Sequence, residues 1–129
     1  QMNGNIFDTN VIIRIIKGDI AVATEARKYS DVHTSSVVLG ELMFGAEKSQ
    51  LKSTNREKYM SFCLSYPILD ITKDVAFEYG KIKASLQGKG KILPENDMWI
   101  ASTAIANNIS VITQDKHFEQ IPGLSVIKL

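Results

Sequence analysis

The feature that most constrains this chain is the alternation of short apolar runs with longer segments whose apolar residues recur every three or four positions. The short runs predict β-strands at 5–7, 32–35, 67–71, 110–113 and 126–128, and the longer segments predict helices. Strands and helices that alternate along a chain form a parallel sheet with helices on both faces. The sequence therefore predicts an α/β protein with a central, mostly parallel sheet.

The helices are predicted from their apolar stripes and from residues typical of helix ends. The first follows residue 8 and ends near Gly18, and the others are expected at 20–29, 37–49, 55–65, 72 or 73 to 87, and 97–107. Asp19 and Thr54 are the predicted caps of two helices, and Gly45 is predicted to mark close packing or a bulge. The segment 88–91 is rich in Gly and Lys but lacks the strand and glycine spacing of a phosphate-binding loop.

The composition is that of an ordinary globular protein, and we expect a single domain over residues 2–129. Hydrophobic residues make up 44% of the chain and charged residues 22%. The apolar runs are far shorter than the roughly 20 residues that span a bilayer, so we expect no membrane association and no secretory signal. Cys63 is the only cysteine, which excludes an internal disulfide and a cysteine-based zinc site and favours the reducing cytoplasm.

The net charge of +1 conceals an asymmetry. If four of the 14 acidic residues line one metal site, ten remain to face 15 Lys and Arg, which leaves +5 over the rest of the molecule. An acidic, metal-filled pocket in a basic surface suits a polyanionic substrate. The alternative is that each basic cluster is an ordinary solvated face.

Two aspartates come just after predicted strands. Asp8 follows the strand 5–7, and Asp115 follows the strand 110–113. Because the carboxyl ends of parallel strands lie at the same edge of a sheet, we expect the two side chains to face one crevice. Two roles are open for Asp8: it caps the following helix, which is worth about 1 kcal/mol, or it holds a cation.

Two further acids lie on predicted helices. Glu41 shares the inward stripe of its helix with Val38 and Leu42, and no Lys or Arg lies within a turn of it. An unpaired buried carboxylate costs several kcal/mol, so Glu41 needs a partner. Asp97 lies in the first turn of a helix, where it either complements the helix dipole beside a capping Asn96 or joins the other acids.

Carboxylates that converge repel one another unless a cation binds them, and oxygen ligands select Mg²⁺ or Mn²⁺. Such an ion activates water for attack on phosphorus and neutralises charge on the phosphate oxygens. The sequence leaves open whether one or two ions bind. His33 and His117 are expected to have structural or surface roles rather than to act as general bases.

With the four acids placed, the chain resembles the PIN-domain nucleases and, within them, the VapC toxins of toxin–antitoxin pairs. The resemblance covers essentially the whole chain. The matching segments are IFDTNVI at 6–12, GELMFGAEKS at 40–49, PENDMWIA at 94–101, VITQDKHF at 111–118 and IPGL at 121–124.

The resemblance implies a three-layer α/β/α fold and a metal-dependent endoribonuclease that a VapB-like antitoxin blocks. It also implies that the chain forms a homodimer. The residues implied as catalytic and metal-binding are Asp8, Glu41, Asp97 and Asp115. Asn10 and Thr113 match polar positions beside the site, where we expect them to orient the carboxylates.

The chain departs from the family pattern at Glu95, where a small residue is common; we expect Glu95 to be a solvated acid of a first helical turn. Met43 and Phe44 are predicted to pack in the core or against a partner. Trp99 is predicted to be a core or dimer contact, and the alternative for it is stacking on a base. The main alternative function is a PIN-like module that binds RNA or an antitoxin without cleavage. A receiver-like switch and a HAD-type phosphatase are disfavoured because Thr9 and Asn10 follow Asp8 where those classes need further acids.

Overall fold

Two helices follow each of the first three strands in residues 4–129, the part of the chain that this computed structural model describes. Residues 2 and 3, which the predicted domain includes, lie outside the described residues. The strands are β1 (Asn5–Phe7), β2 (Val32–Ser35), β3 (Ile68–Leu69), β4 (Ser110–Thr113) and β5 (Val126–Lys128). The α-helices are α1 (Thr9–Ile16), α2 (Ile20–Ala26), α3 (Ser36–Glu47), α4 (Lys52–Leu64), α5 (Lys73–Gly88) and α6 (Glu95–Ala106), and Lys116–Gln120 forms a 3₁₀ helix.

The five strands form one sheet in the order β3-β2-β1-β4-β5, and each neighbouring pair is parallel. In the centre, Ile6 of β1 pairs with His33 of β2 on one side and with Val111 of β4 on the other. All residues of β1 and β4 are buried. Side chains of a strand point alternately to the two faces, so both faces of the sheet are covered. The predicted three-layer α/β/α fold with a parallel sheet is confirmed.

The core follows from the apolar stripes that predicted the helices. Val11 and Ile12 of α1, Val38 and Leu42 of α3, and Ile100 of α6 are each almost completely buried. Cys63 of α4 is also fully buried, and burial raises the pKa of its thiol. Cys63 is therefore a small core side chain rather than an exposed nucleophile. Among the helices of residues 4–129, none combines the length and the apolar character needed to cross a bilayer.

Several predicted details are wrong. The strand predicted at 67–71 contains only Ile68 and Leu69, because β3 is an edge strand that pairs with β2 alone. The α2 helix ends at Ala26 rather than at residue 29, although Asp19 caps it as predicted. Thr54 caps no helix, since α4 begins at Lys52. Gly45 neither breaks α3 nor packs closely: the helix continues through it, and an added Cβ would meet nothing within 4 Å.

Gly4, which precedes β1, does make a close approach. A Cβ placed on it would lie 2.7 Å from Cγ2 of Ile109 and 2.9 Å from Oδ2 of Asp31. We expect Gly4→Ala to lower the free energy of unfolding by about 1–3 kcal/mol, because a methyl group forced into a packed site displaces its neighbours. Urea denaturation measures the change, with Gly40→Ala as the control, since a Cβ on Gly40 meets nothing within 4 Å. Equal stability of the Gly4→Ala variant and the parent would contradict the packing described here.

Candidate active site

The carboxyl edge of the sheet carries Asp8 in a nearly closed environment. Asp8 follows β1 directly and is 4% exposed. The backbone N–H of Thr9 donates to Oδ1 of Asp8 at 2.8 Å, and the Thr113 hydroxyl donates to Oδ2 at 2.8 Å. Asp8 is also the N-cap of α1. Asp8 therefore does cap α1. Its carboxylate also lies among other acids, so the cation-binding role stays open beside the capping role.

Thr113, at the end of β4, connects Asp8 to Asp115. Its fully buried hydroxyl donates to Asp8 and accepts the backbone N–H of Asp115 at 2.9 Å. Thr113 therefore orients Asp8, as predicted from its position. Asp115 accepts hydrogen bonds from the backbone N–H of His117 at 2.9 Å and makes a 2.6 Å contact with the Nδ1 atom of its ring. His117 thus lies against an acid of the site.

Thr9 connects Asp8 to Glu41. Its hydroxyl, in a side chain only 8% exposed, donates to Oε1 of Glu41 at 2.6 Å. The other carboxylate oxygen of Glu41 accepts from Nδ2 of Asn96 at 3.2 Å. Glu41 is half-buried, and these neutral donors serve as its partners instead of a basic side chain.

Asn96 does not cap α6 as predicted, because Pro94 is the residue at that cap and Asn96 lies within the first turn. From there it reaches Glu41 and places the neighbouring Asp97 beside the same cluster. Asp97 is half-buried. Burial acts most strongly on its charge, repulsion by Asp8, Glu41 and Asp115 acts in the same direction, and His117 opposes them.

The prediction for Asn10 is not supported. Asn10 is exposed, and within residues 4–129 it forms no hydrogen bond to an acid of the site. The two adjacent residues divide between the faces of α1: Thr9 points inward on the side of buried Ile12, and Asn10 points outward. The inward stripe in the sequence would have identified Thr9 as the residue in contact with the acids.

The electrostatics of the cluster oppose ionisation. Burial raises the pKa of Asp8 to about 6; hydrogen bonds from Thr113 and Thr9 counteract this shift, and repulsion by Glu41 and Asp115 adds to it. Burial, followed by repulsion from Asp8 and Glu41, raises the pKa of Asp97 to about 7. Partial burial acts in the same sense on Asp115, but its hydrogen bonds from His117 outweigh burial and lower the pKa. The site thus stores charge repulsion that a cation would relieve.

Glu95, the departure from the family pattern, points away from this cluster. Its carboxylate accepts hydrogen bonds from the Tyr79 hydroxyl and from Nζ of Lys83, the latter at 2.9 Å. These two bonds lower the pKa of Glu95. Glu95 is exposed, as expected, and its hydrogen bonds go to Tyr79 and Lys83 rather than to the acidic cluster.

The donor set fits a hydrated divalent ion rather than a closed cage. Among the described residues, no three His, Cys, Asp or Glu side chains gather closely enough to enclose an ion by themselves. Mg²⁺ retains several waters and is commonly bound by one or two carboxylates together with substrate phosphates. Buried, mutually repelling carboxylates that are held in place by hydroxyl and amide donors match that requirement.

The raised pKa values of Asp8 and Asp97 predict how stability depends on pH. Both groups bind protons more tightly in the folded protein than at their ordinary value of 3.8. This tighter proton binding adds to the free energy of unfolding. The contribution is complete below about pH 4, where both groups are protonated, and is lost as the pH rises through their folded-state pKa values of about 6 and about 7. Between about pH 5.5 and pH 7.5, we expect the free energy of unfolding to fall by about 1–2 kcal/mol, after allowing for solvent screening of the half-exposed Asp97.

Thermal unfolding in EDTA at the two pH values measures this change. The double variant Asp8→Asn, Asp97→Asn is the matched control and should lose most of the difference. A parent protein that is more stable at the higher pH would contradict the electrostatics described here.

Comparisons with known proteins agree with this architecture. Residues 6–124 match the family model described as PIN domain. The chain is 39% identical over 98 residues to Ribonuclease VapC2 of Rickettsia felis, and the aligned segment covers 75% of this chain and 73% of the relative. It is 32% identical over 122 residues to the tRNA(fMet)-specific endonuclease VapC of Shigella flexneri, with 92% of both chains covered.

Solved structures give the same result. A chain of the VapBC2 complex from Rickettsia felis, bound to a DNA fragment of its promoter, aligns with a TM-score of 0.89 and 32% identity over 97% of this chain and 98% of that one. A chain of the DNA-bound VapBC complex from Salmonella typhimurium aligns with a TM-score of 0.89 and 31% identity, covering 98% of each chain. The chain therefore belongs to the PIN-domain family and, within it, to the VapC ribonucleases of VapBC toxin–antitoxin pairs.

Proposed function

We propose that the chain is a Mg²⁺- or Mn²⁺-dependent endoribonuclease toxin that hydrolyses RNA phosphodiester bonds and that a VapB-like antitoxin inhibits. The observation that carries this proposal is the series of hydrogen bonds joining the acids: Thr113 links Asp115 to Asp8, and Thr9 links Asp8 to Glu41. The named relatives are ribonucleases and endonucleases, which supports the same class of reaction.

Asp8, Asp97 and Glu41 would hold the principal ion in hydrated form, with one or two of the three carboxylates bound directly and the rest acting through its waters. Asp115 would assist or hold a second ion. When bound, the ion supplies a nucleophilic water and neutralises charge on the phosphate. Thr9, Thr113 and Asn96 keep the carboxylates in place through the hydrogen bonds described above, so that little reorganisation accompanies binding. The raised pKa values of Asp8 and Asp97 imply that proton release accompanies ion binding near neutral pH.

An antitoxin partner is supported by the solved structures, which are VapBC complexes, and by the charge of the site. A basic side chain placed among the four carboxylates would relieve their repulsion as a metal ion does, and it would exclude the ion. We further propose that the chain forms homodimers and acts in the cytoplasm, where RNA is available.

The proposed reaction is tested by incubating the purified chain with labelled RNA and mapping the product ends. We expect cleavage with Mg²⁺ or Mn²⁺ and none in EDTA. Attack by water leaves one phosphate monoester and one hydroxyl, whereas attack by the neighbouring ribose hydroxyl leaves a cyclic phosphate. Cyclic ends formed in EDTA would overturn the mechanism, and uncut RNA at saturating Mn²⁺ would favour a binding module without turnover.

A further inference from the structure

A hollow of about 710 Å³ adjoins the acidic cluster between α1, α3 and α6. Volumes of this order are typical of sites that bind small molecules or parts of larger ligands. Its wall combines aromatic, amide and charged groups rather than apolar ones alone: Glu41, Phe44, Lys48, Asn96 and Trp99. Because Glu41 and Asn96 also belong to the acidic cluster, a ligand in this hollow would directly adjoin the reacting phosphate.

Phe44 gives the hollow an exposed aromatic platform. Its side chain is 65% exposed although it lies in the middle of α3. Nζ of Lys48 lies 4.7 Å from the centroid of its ring, which steadies the ring by a cation–π contact. Gly40 and Gly45 also line the hollow, and apart from their chain neighbours and the backbone of α3 itself, no heavy atom of the described residues lies within 4 Å of a Cβ built on either. Space for a flat ligand therefore remains beside the ring.

A second hollow, of about 360 Å³, lies on the other side of the acids. It is lined by Asp8 and Asp115 together with Arg14, and it shares Asn10 and Ile13 with the first hollow. The two hollows therefore adjoin at Asn10 and Ile13, and each contains acids of the cluster. Each also contains a basic side chain: Lys48 in the first, and in the second Arg14, which forms an ion pair with Asp19 at 3.0 Å.

We propose that the hollow around Phe44 binds a nucleobase of single-stranded RNA, stacked on the Phe44 ring, while Lys48 contacts a neighbouring phosphate. Stacking platforms combined with basic side chains along the strand are the general means by which proteins hold single-stranded nucleic acid. The inference rests on the proposed function and adds a subsite to it. Asn10 then lies where the two hollows meet, in a position to contact the strand.

The chemistry of the hollow favours RNA over an apolar partner. Lys48 lies against the Phe44 ring, so an apolar partner covering the ring would also take this charge out of solvent without a counter-charge. A nucleotide avoids that cost, because its base can stack on the ring while its phosphate offers a counter-charge to Lys48. A second copy of the chain on Phe44 is the competing occupant, and the experiment separates the two.

The test uses a short single-stranded RNA that carries 2-aminopurine, a base whose fluorescence is quenched when it stacks on an aromatic ring. Binding is measured in EDTA, so that it does not depend on cleavage. We expect the parent to quench the fluorescence and Phe44→Ala to weaken RNA binding about 5- to 100-fold with loss of the quench. Phe44→Trp should retain both signals. Phe77→Ala is the matched control, because Phe77 is 64% exposed and lines neither hollow.

Lys48 is tested by the dependence of RNA affinity on salt. We expect Lys48→Ala to reduce the slope of log K against log salt concentration by about 0.7–1, because one fewer counterion is released from the strand. Lys91→Ala is the control, since Lys91 is exposed and lies outside both hollows.

The subsite is overturned if Phe44→Ala binds RNA as tightly as the parent. A change in the molecular mass of that variant on sedimentation, together with its unchanged RNA affinity, would then assign Phe44 to a contact between copies. The proposed reaction would still stand if the parent cleaves RNA with Mn²⁺. If the parent does not cleave RNA, the proposed function fails. The binding data still test the subsite in that case, because binding is measured in EDTA without cleavage.

Discussion

Asp8→Asn is expected to lower the rate of RNA cleavage by about 100- to 1000-fold while leaving the protein folded. A metal ion contributes several kcal/mol to stabilising the transition state, and every 1.36 kcal/mol corresponds to about a factor of ten in rate. An amide in place of the Asp8 carboxylate is a neutral and weaker ligand. Cleavage of end-labelled RNA at saturating Mn²⁺ measures the loss.

The same variant should be at least as stable as the parent in EDTA. Burial and neighbouring acids oppose ionisation of Asp8, so its neutral replacement removes a cost of about 1–2 kcal/mol near neutral pH. Thermal unfolding in EDTA measures this gain. Asp70→Asn is the matched control, because Asp70 also follows a strand but is exposed. If Asp8→Asn cleaves RNA at the parental rate, Asp8 is not a ligand of the reacting ion.

The second large effect is expected for Thr9→Val, which keeps the shape of the side chain and removes its hydroxyl. Glu41 then loses its 2.6 Å hydrogen bond, and its carboxylate is no longer held toward Asp8. Loss of a group that orients a metal ligand costs about 10- to 100-fold in metal affinity or activity. We therefore expect losses of this size in Mn²⁺ affinity, measured by calorimetry, and in the cleavage rate.

Thr9→Ser should restore most of both quantities, because it returns the hydroxyl. Thr54→Val serves as the control, since Thr54 lies exposed on α4. A Thr9→Val variant with parental Mn²⁺ affinity would show that the hydrogen bond to Glu41 has no bearing on the metal site.

The fold and the position of the acids were predictable from local patterns. Asp8 and Asp115 follow strands of the same parallel sheet, and strand direction alone brings their side chains to one edge. Glu41 was identifiable because it lies on the inward stripe of α3 without a basic partner nearby. These inferences depend on periodicity and topology, which a sequence records directly.

The helix ends could not be predicted from cap preferences alone. The α4 helix begins before Thr54, and the backbone N–H of Asn55 already makes a helical hydrogen bond to Leu51 while its side-chain amide donates to Ser49. Asn96 contacts Glu41, which lies 55 residues earlier, instead of serving as the cap that its residue type favours. In the case of Asn96 a tertiary hydrogen bond replaces a local preference of about 1 kcal/mol.

The predictions for the edge strand β3 and for the polar residues after Asp8 were wrong for other reasons. β3 has a neighbour on one side only, so the apolar run 67–71 shows where a strand lies but not how many of its residues pair. Thr9 and Asn10 are both polar neighbours of Asp8, and the apolar stripe of α1 decides which of them faces inward. Thr9 does so and contacts Glu41, while Asn10 is left on the wall that the two hollows share.

Whether the acidic cluster is a metal-dependent nuclease site is tested by titrating Mn²⁺ into the parent protein and following ion occupancy and RNA cleavage in the same samples. We expect no cleavage in EDTA, and a cleavage rate that rises with the same midpoint as Mn²⁺ binding. Intact RNA at full occupancy, or cleavage in EDTA at the rate seen with Mn²⁺, would contradict this expectation.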